Sequence, residues 1–276
     1  SPGKMMLDGT IGNVFVQTGV ILVDVRSVEI RGGGDITIGG DINFNERLLV
    51  EDSNVGFLEG ARVRGRLSGA LIDILAPGHN IMSQGGADPS LVETTGRIHF
   101  FGGVIDLSGV LVTASGSDIH LNAVSVITIA GTVSSGGQFK ALAGVFASSD
   151  PATLLSGSLT HADLGPALFQ IVDEGAVASV ANAEVIVGGD LSIRSSVSLG
   201  DGQVIPQRPI ITTEPKIISV VVGQRQVANG FIIVPEVHWV TTQVIYQVGT
   251  EQVKIGYEFH TFDFTLTQDG YWNGST

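Results

Sequence analysis

Apolar and polar residues alternate along most of the chain in runs of a few residues, and the runs end in glycine, aspartate or serine. In "VEIRGGGDITIGGDIN", from Val28 to Asn43, two such runs are cut by five glycines and two aspartates. Period-two alternation puts one face of a segment in a core and the other outside, which predicts short β-strands. Glycine and aspartate at the breaks predict corners, because a sharp change of direction needs positive φ or a side chain bonded to the backbone.

The runs repeat. Ile98-His99 recurs as Ile119-His120, 21 positions on. After one inserted residue, Val104-Ile105-x-Leu107-x-Gly109 recurs 22 positions on as Val126-Ile127-x-Ile129-x-Gly131. A looser echo joins "VEIRGGGDI", "ITIGGDI" and "VIVGGDLSI", whose Gly-Gly-Asp units end at Asp35, Asp41 and Asp190. This period fits one coil of a β-solenoid, whose strands pair with the coil beside them and stack aliphatic residues in ladders. The fold class expected is all-β, a parallel β-solenoid (β-helix) over 1–204 followed by a small antiparallel β-sheet or sandwich domain.

Alternation fails between about 138 and 180, which predicts an excursion with a short helix near Leu164–Val172. Three prolines between Val204 and Pro215 predict a linker over 205–215. Alternation resumes in 216–276, where Val253, Ile255, Tyr257 and Phe259 share one face, and "QVGTEQV" and "QDGYW" read as hairpin turns.

Composition narrows the function. Hydrophobic residues are 43% and charged residues 15% of the 276, with 38 glycines, no cysteine and a net charge of −13. A duplex binder needs clustered cations, so nucleic acid is not an expected partner. Arg62, Arg64 and Arg66 share one strand face and read as a solvated row. Without cysteine there are no thiolate metal sites, and no apolar run approaches the ~20 residues of a membrane-spanning helix.

Site chemistry is sparse. The opening glycines lack the helix that follows a dinucleotide loop and the Gly-Lys-Ser/Thr of a phosphate loop. Asp35, Asp41 and Asp190 are calcium candidates, but the tandem spacing of about nine residues seen in calcium-binding β-rolls is missing, so bonds to turn amides are the preferred reading. His99 and His120 are expected to stack as polar residues on an outer face. Asp24, Asp73 and Asp106 sit in the similar contexts "LVDV", "LIDI" and "VIDL", which would line up carboxylates if one groove held them. No G-x-S-x-G elbow occurs. Trp239, Tyr246, Tyr257, Tyr271 and Trp272 are candidates for an interface, a small core or a glycan platform.

The coil pattern resembles filamentous-haemagglutinin-type β-helical exoproteins of bacteria. "YQVGTEQVKIGYEFHTFDFTLTQDGYWN", from Tyr246 to Asn273, is similar to a segment of giant repeat-rich surface proteins of the LEPR-XLL type. The resemblance implies a piece of a very long secreted bacterial polypeptide and implies no catalytic residues; apart from the calcium candidates, no cofactor is expected. The expected role is structural and extracellular, a fibre or adhesin stalk whose partners are copies of itself or neighbouring modules of the same polypeptide, with surface glycans as a further candidate partner. A carbohydrate-binding adhesin module and a polysaccharide-active β-helix enzyme are the alternatives.

Overall fold

The computed structural model describes residues 3–9, 12–156, 158–159, 163–172, 179–194, 201–220, 237–240, 243–259, 262–264 and 271–272. Strand accounts for 61% and helix for 4%, so the fold is all-β, and its body is a parallel β-solenoid. The strands run in order β1 (Lys4–Gly9), β2 (Val14–Val16), β3 (Ile21–Gly32), β4 (Ile36–Ile38), β5 (Asp41–Glu51), β6 (Val55–Phe57) and β7 (Arg62–Gly65). Next come β8 (Leu71–Ser83), β9 (Leu91–Thr94), β10 (Ile98–Leu107), β11 (Val110–Thr113), β12 (Ile119–Ile129) and β13 (Thr132–Ala143). The short helix α1 (Pro151–Ser156) precedes β14 (Leu168–Ile171), β15 (Ser179–Val187), β16 (Asp190–Arg194) and β17 (Asp201–Val220). The last strands are β18 (Val237–Val240), β19 (Gln243–Phe259), β20 (Phe262–Phe264) and β21 (Tyr271–Trp272).

Each coil contributes three parallel ladders. The first face stacks β1, the second half of β3 and of β5, the first half of β8, β10 and β12, the end of β13, then β15 and β17. The second face stacks β2, β4, β6, the second half of β8, β10 and β12, then β14 and β16. The third stacks the starts of β3 and β5 with β7, β9, β11 and the start of β13. Ile98 pairs with Ile119 and Val104 with Val126, as the repeat predicts, and the inserted residue becomes an irregularity between Gly102 and Val104. The glycines of 28–43 fall at corners: Gly33 and Gly34 separate β3 from β4, and Gly39 and Gly40 separate β4 from β5.

Inward residues form one core. On the first face Ile30, Val50, Ile74, Phe100, Leu121 and Ala141 are fully buried, and Phe57 on the second face stacks on Phe100 with centroids 6.2 Å apart. Each large aliphatic or aromatic side chain so buried contributes about 1.5–3 kcal/mol.

The excursion is shorter than its sequence suggests. Gln138–Ala143 lie in β13, where Phe139, Ala141 and Ala143 point inward; the alanines fit the interior despite weak strand propensity. The helix forms at Pro151–Ser156 and not near Leu164–Val172. Its start is set by Pro151 and by Asp150, whose Oδ2 accepts a hydrogen bond from the Thr153 backbone N–H at 3.1 Å. Leu168–Ile171 instead returns to the second face with Phe169 and Ile171 in the core.

The chain divides into two compact units, Ser1–Gln207 with Phe259–Thr276, and Arg208–Glu258. Positions 205–215, expected as a linker, run inside β17. In the second unit β18 pairs antiparallel with β19, and the "QVGTEQV" stretch runs straight through β19. In the first, β20 pairs antiparallel with β17 and β21 with β16. The expected turn at Asp269-Gly270 lies outside the described residues.

Candidate functional site

Two outer surfaces of the solenoid carry polar side chains in register. On the first face the middle outward column runs Glu29, Leu49, Asp73, His99, His120, Lys140 and Glu184. Outward residues of a solenoid normally meet water, yet Asp73, His99, His120 and Lys140 are buried, His99 to 1% exposure. They are held by ion pairs and hydrogen bonds between coils. Asp73 accepts from Arg47 Nε at 2.8 Å and from Arg97 Nη2 at 3.0 Å, and Lys140 pairs with Glu184 at 3.1 Å. Beside them lies a second apolar cluster of Phe101, Leu142, Val145, Leu154, Leu164 and Ile186. Leu154 of α1, Val145 and Leu164 come from the excursion, so this segment packs on the outside of the first face.

Burial sets the ionisation of the two histidines. It pulls the His99 imidazole down to about 4, against the opposing pull of Asp73, and lowers His120 against the pull of Asp118. Asn122 Nδ2 donates to His99 Nε2 at 2.8 Å, which fits a neutral ring protonated at Nδ1. The rings do meet between adjacent coils, but edge to face, with centroids 6.5 Å apart and planes at 79°, and as covered groups and not as the open polar stack expected.

The second face is open. Its outward column runs Phe15, Thr37, Gly56, Met82, Asp106, Thr128 and Gln170. Between Thr37 and Asp106 lies a groove of about 610 Å³. One wall is a corner ladder of amides and carboxylate. Asn13 Oδ1 accepts from the Asp35 backbone N–H at 2.9 Å, Asn54 Nδ2 donates to Asp35 Oδ1 at 2.9 Å, and Asn54 Oδ1 accepts from the Asn80 backbone N–H at 2.8 Å. The other wall includes Gln84, whose Oε1 accepts from the Glu59 backbone N–H at 3.1 Å, and Ser108. Partial burial raises the Asp106 carboxyl above its ordinary range, although the residue stays open to solvent.

No protein-family model matches the chain, and comparison with curated proteins and with solved structures finds no match either.

The candidates read from sequence are dispersed. Asp35 belongs to the amide ladder, Asp41 opens β5 at the next corner, and Asp190 opens β16 opposite Leu168, several coils away. The three calcium candidates do not converge, and among the described residues no three His, Asp or Glu side chains form a metal-holding group. Asp73 and Asp106 point out from different faces, so they do not share a groove as the repeated "LIDI" and "VIDL" contexts suggested; the side chain of Asp24 lies outside what is described. The arginine row is paired and not merely solvated. Arg62 meets Asp88, Arg64 meets Glu93 at 2.6 Å, and Arg66 Nη2 donates to Asn43 Oδ1 at 2.7 Å.

Trp239 and Tyr246 lie on the β18–β19 hairpin and Tyr257 further along β19. Tyr271 and Trp272 form β21, opposite Arg194 and Ile193. The five aromatics are thus split between the two units. Gly56, Asn54 and Asn80 were not singled out from sequence, although a signal existed. "NVFV", "DITI" and "NVGF" each open with Asn or Asp just before a strand of the second face, and "NIMS" opens with Asn at the equivalent place inside β8.

Proposed function

We propose that this chain is a non-catalytic structural segment of a large secreted bacterial surface protein, assembling by end-to-end stacking with neighbouring modules or copies. The observation that carries this reading is the condition of the first coil. Leu7, Val14, Leu22 and Val25 pack against the core but are only partly buried, whereas equivalent positions one coil on are sealed. Around them Met6, Phe15, Ile21 and Val23 are 49–61% exposed. Among the described residues β1 pairs on one side only, with β3. An open parallel strand edge over an unsealed aliphatic core is a template for another coil, whether of the same polypeptide or of a neighbouring molecule. At the other end β20 and β21 lie along β17 and β16, which favours assembly with one direction. The resemblance to filamentous-haemagglutinin-type and LEPR-XLL-type proteins supports an extracellular stalk or fibre.

Sedimentation velocity over a concentration series, with negative-stain microscopy, tests this reading. Concentration-dependent elongated species are expected, and Phe15→Glu with Ile21→Lys should abolish them. A stable monomer at high concentration would overturn it.

A further inference from the structure

The groove on the second face goes beyond stacking and does not depend on it. Its floor is Gly56, an outward residue in the middle of a strand ladder between Thr37 and Met82. A strand interior favours β-branched or aromatic residues, and glycine there weakens it. Backbone geometry does not call for glycine at this position: φ is not in the left-handed region, and an added Cβ would meet nothing within 4 Å. Gly40 is the contrast, since a Cβ there would lie 2.4 Å from Gln17 O and 2.5 Å from Val20 O. Gly40 is held by packing. Gly56 leaves an open notch that packing does not require, which is how a close approach to a ligand is made.

The walls define the ligand. They carry amides, hydroxyls and two carboxylates, with no Lys, Arg or His, while the exposed Met82 offers an apolar patch. Asn54 and Gln84 are fixed by hydrogen bonds to neighbouring coils, so they are ordered before anything binds. An anionic ligand would face Asp35, Asp106 and a net charge of −13. A cationic peptide would want the carboxylates together, yet they stand at opposite ends of the groove, with Asp35 already bonded to Asn54. Both edges of β6 are occupied, by β4 and β8, so no extended peptide can add as a strand. Coils repeat every ~4.8 Å, a step comparable to one sugar unit of a linear glycan.

We infer that the second-face groove binds a linear, uncharged glycan lying along the solenoid axis, with one sugar seated over Gly56 against Met82. Asp106 accepts hydrogen bonds from its hydroxyls, and the Asn54–Asn80 wall orients it. Hydrolysis is not part of this role. Asp35 and Asp106 are roughly 14 Å apart along the axis by coil spacing, beyond the ~6.5–9.5 Å of an inverting carboxylate pair.

The test is an array of linear neutral glycans, uronic-acid oligomers and a Lys/Arg-rich peptide, followed by calorimetric titration of any binder. Neutral glycans should bind, with little loss at high salt. Gly56→Ile fills the notch with a good strand residue, so it should keep the melting temperature and lose binding. Asp106→Ala should weaken binding about tenfold, as expected for a lost charge-assisted hydrogen bond. Gln170→Ala, on the same face beyond the groove, should change nothing. Silence of every neutral glycan, binding only to uronates, salt-sensitive binding only to the basic peptide, or full affinity in a folded Gly56→Ile protein would each overturn the assignment.

Discussion

His99 and His120 occupy equivalent positions in adjacent coils, in register with each other and both shielded from water. Their neighbours are Asp73 and Arg97 for His99, and Asp118, Arg97 and Lys140 for His120. Burial dominates both sets and keeps the rings neutral in the folded protein.

Stability should therefore fall on acidification. The folded pKa values lie below the free value of 6.5, so the unfolded chain takes up protons first as pH drops. The stabilising contribution is complete above about pH 6.5 and is lost progressively down to about pH 4 for His99. It amounts to about 3 kcal/mol at most for that residue. Urea midpoints at pH 7 and pH 5 will show the loss, and a His99→Gln, His120→Gln double variant should show a flatter dependence over the same window.

Asp73→Ala should destabilise more than a surface substitution. Removing the buried carboxylate leaves Arg47 and Arg97 facing each other without their anion. Both arginines keep partial access to water, which reduces the cost to about 1–3 kcal/mol. Denaturant melts of Asp73→Ala and of Arg47→Ala, Asp73→Ala together will separate the lost pair from the stranded charges.

Gly40→Ala should cost more than 1 kcal/mol, because the new methyl meets two backbone carbonyl oxygens that belong to the preceding corner. Gly56→Ala, with open space at its Cβ, should stay within about 0.5 kcal/mol of the parent or stabilise it. Parallel thermal melts of the two variants check both statements.

Phe100→Ala should lose about 3–5 kcal/mol, since it removes a fully buried ring and its stack with Phe57 from the centre of the core. Asp150→Ala should act locally, costing about 1 kcal/mol of helix stability through the lost cap. Limited proteolysis should then cut near α1 while the solenoid strands stay protected.

Much of the solenoid was readable because its signals are local. The parity of Ile98, Phe100 and Gly102 against Ile119, Leu121 and Ala123 states both the inward face and the register. The covered histidine row was not readable, since His99 and His120 occupy outward positions that alternation assigns to water. Beside that row Val145, Leu154 and Leu164, which lie outside any coil, pack on the outward Phe101, Leu142 and Ile186, a second layer that alternation within the coils does not announce. The start of α1 was legible in Asp150-Pro151 but was masked by the leucine-rich run after it. The groove escaped because its defining feature is a missing side chain, and one glycine among 38 looks like any other.

The excursion leaves the first face after Ala143 and the chain returns to the second face at Leu168, yet Val126 still pairs with Leu168 and Ile129 with Ile171. The corner between β13 and β14 therefore tolerates some twenty-four intervening residues without loss of register. Lengthening a closed loop costs only about 0.6 kcal/mol per doubling, so such corners are natural attachment points for added sequence. A scaffold built this way can diversify by grafting cargo onto its corners while the ladders between them stay unchanged.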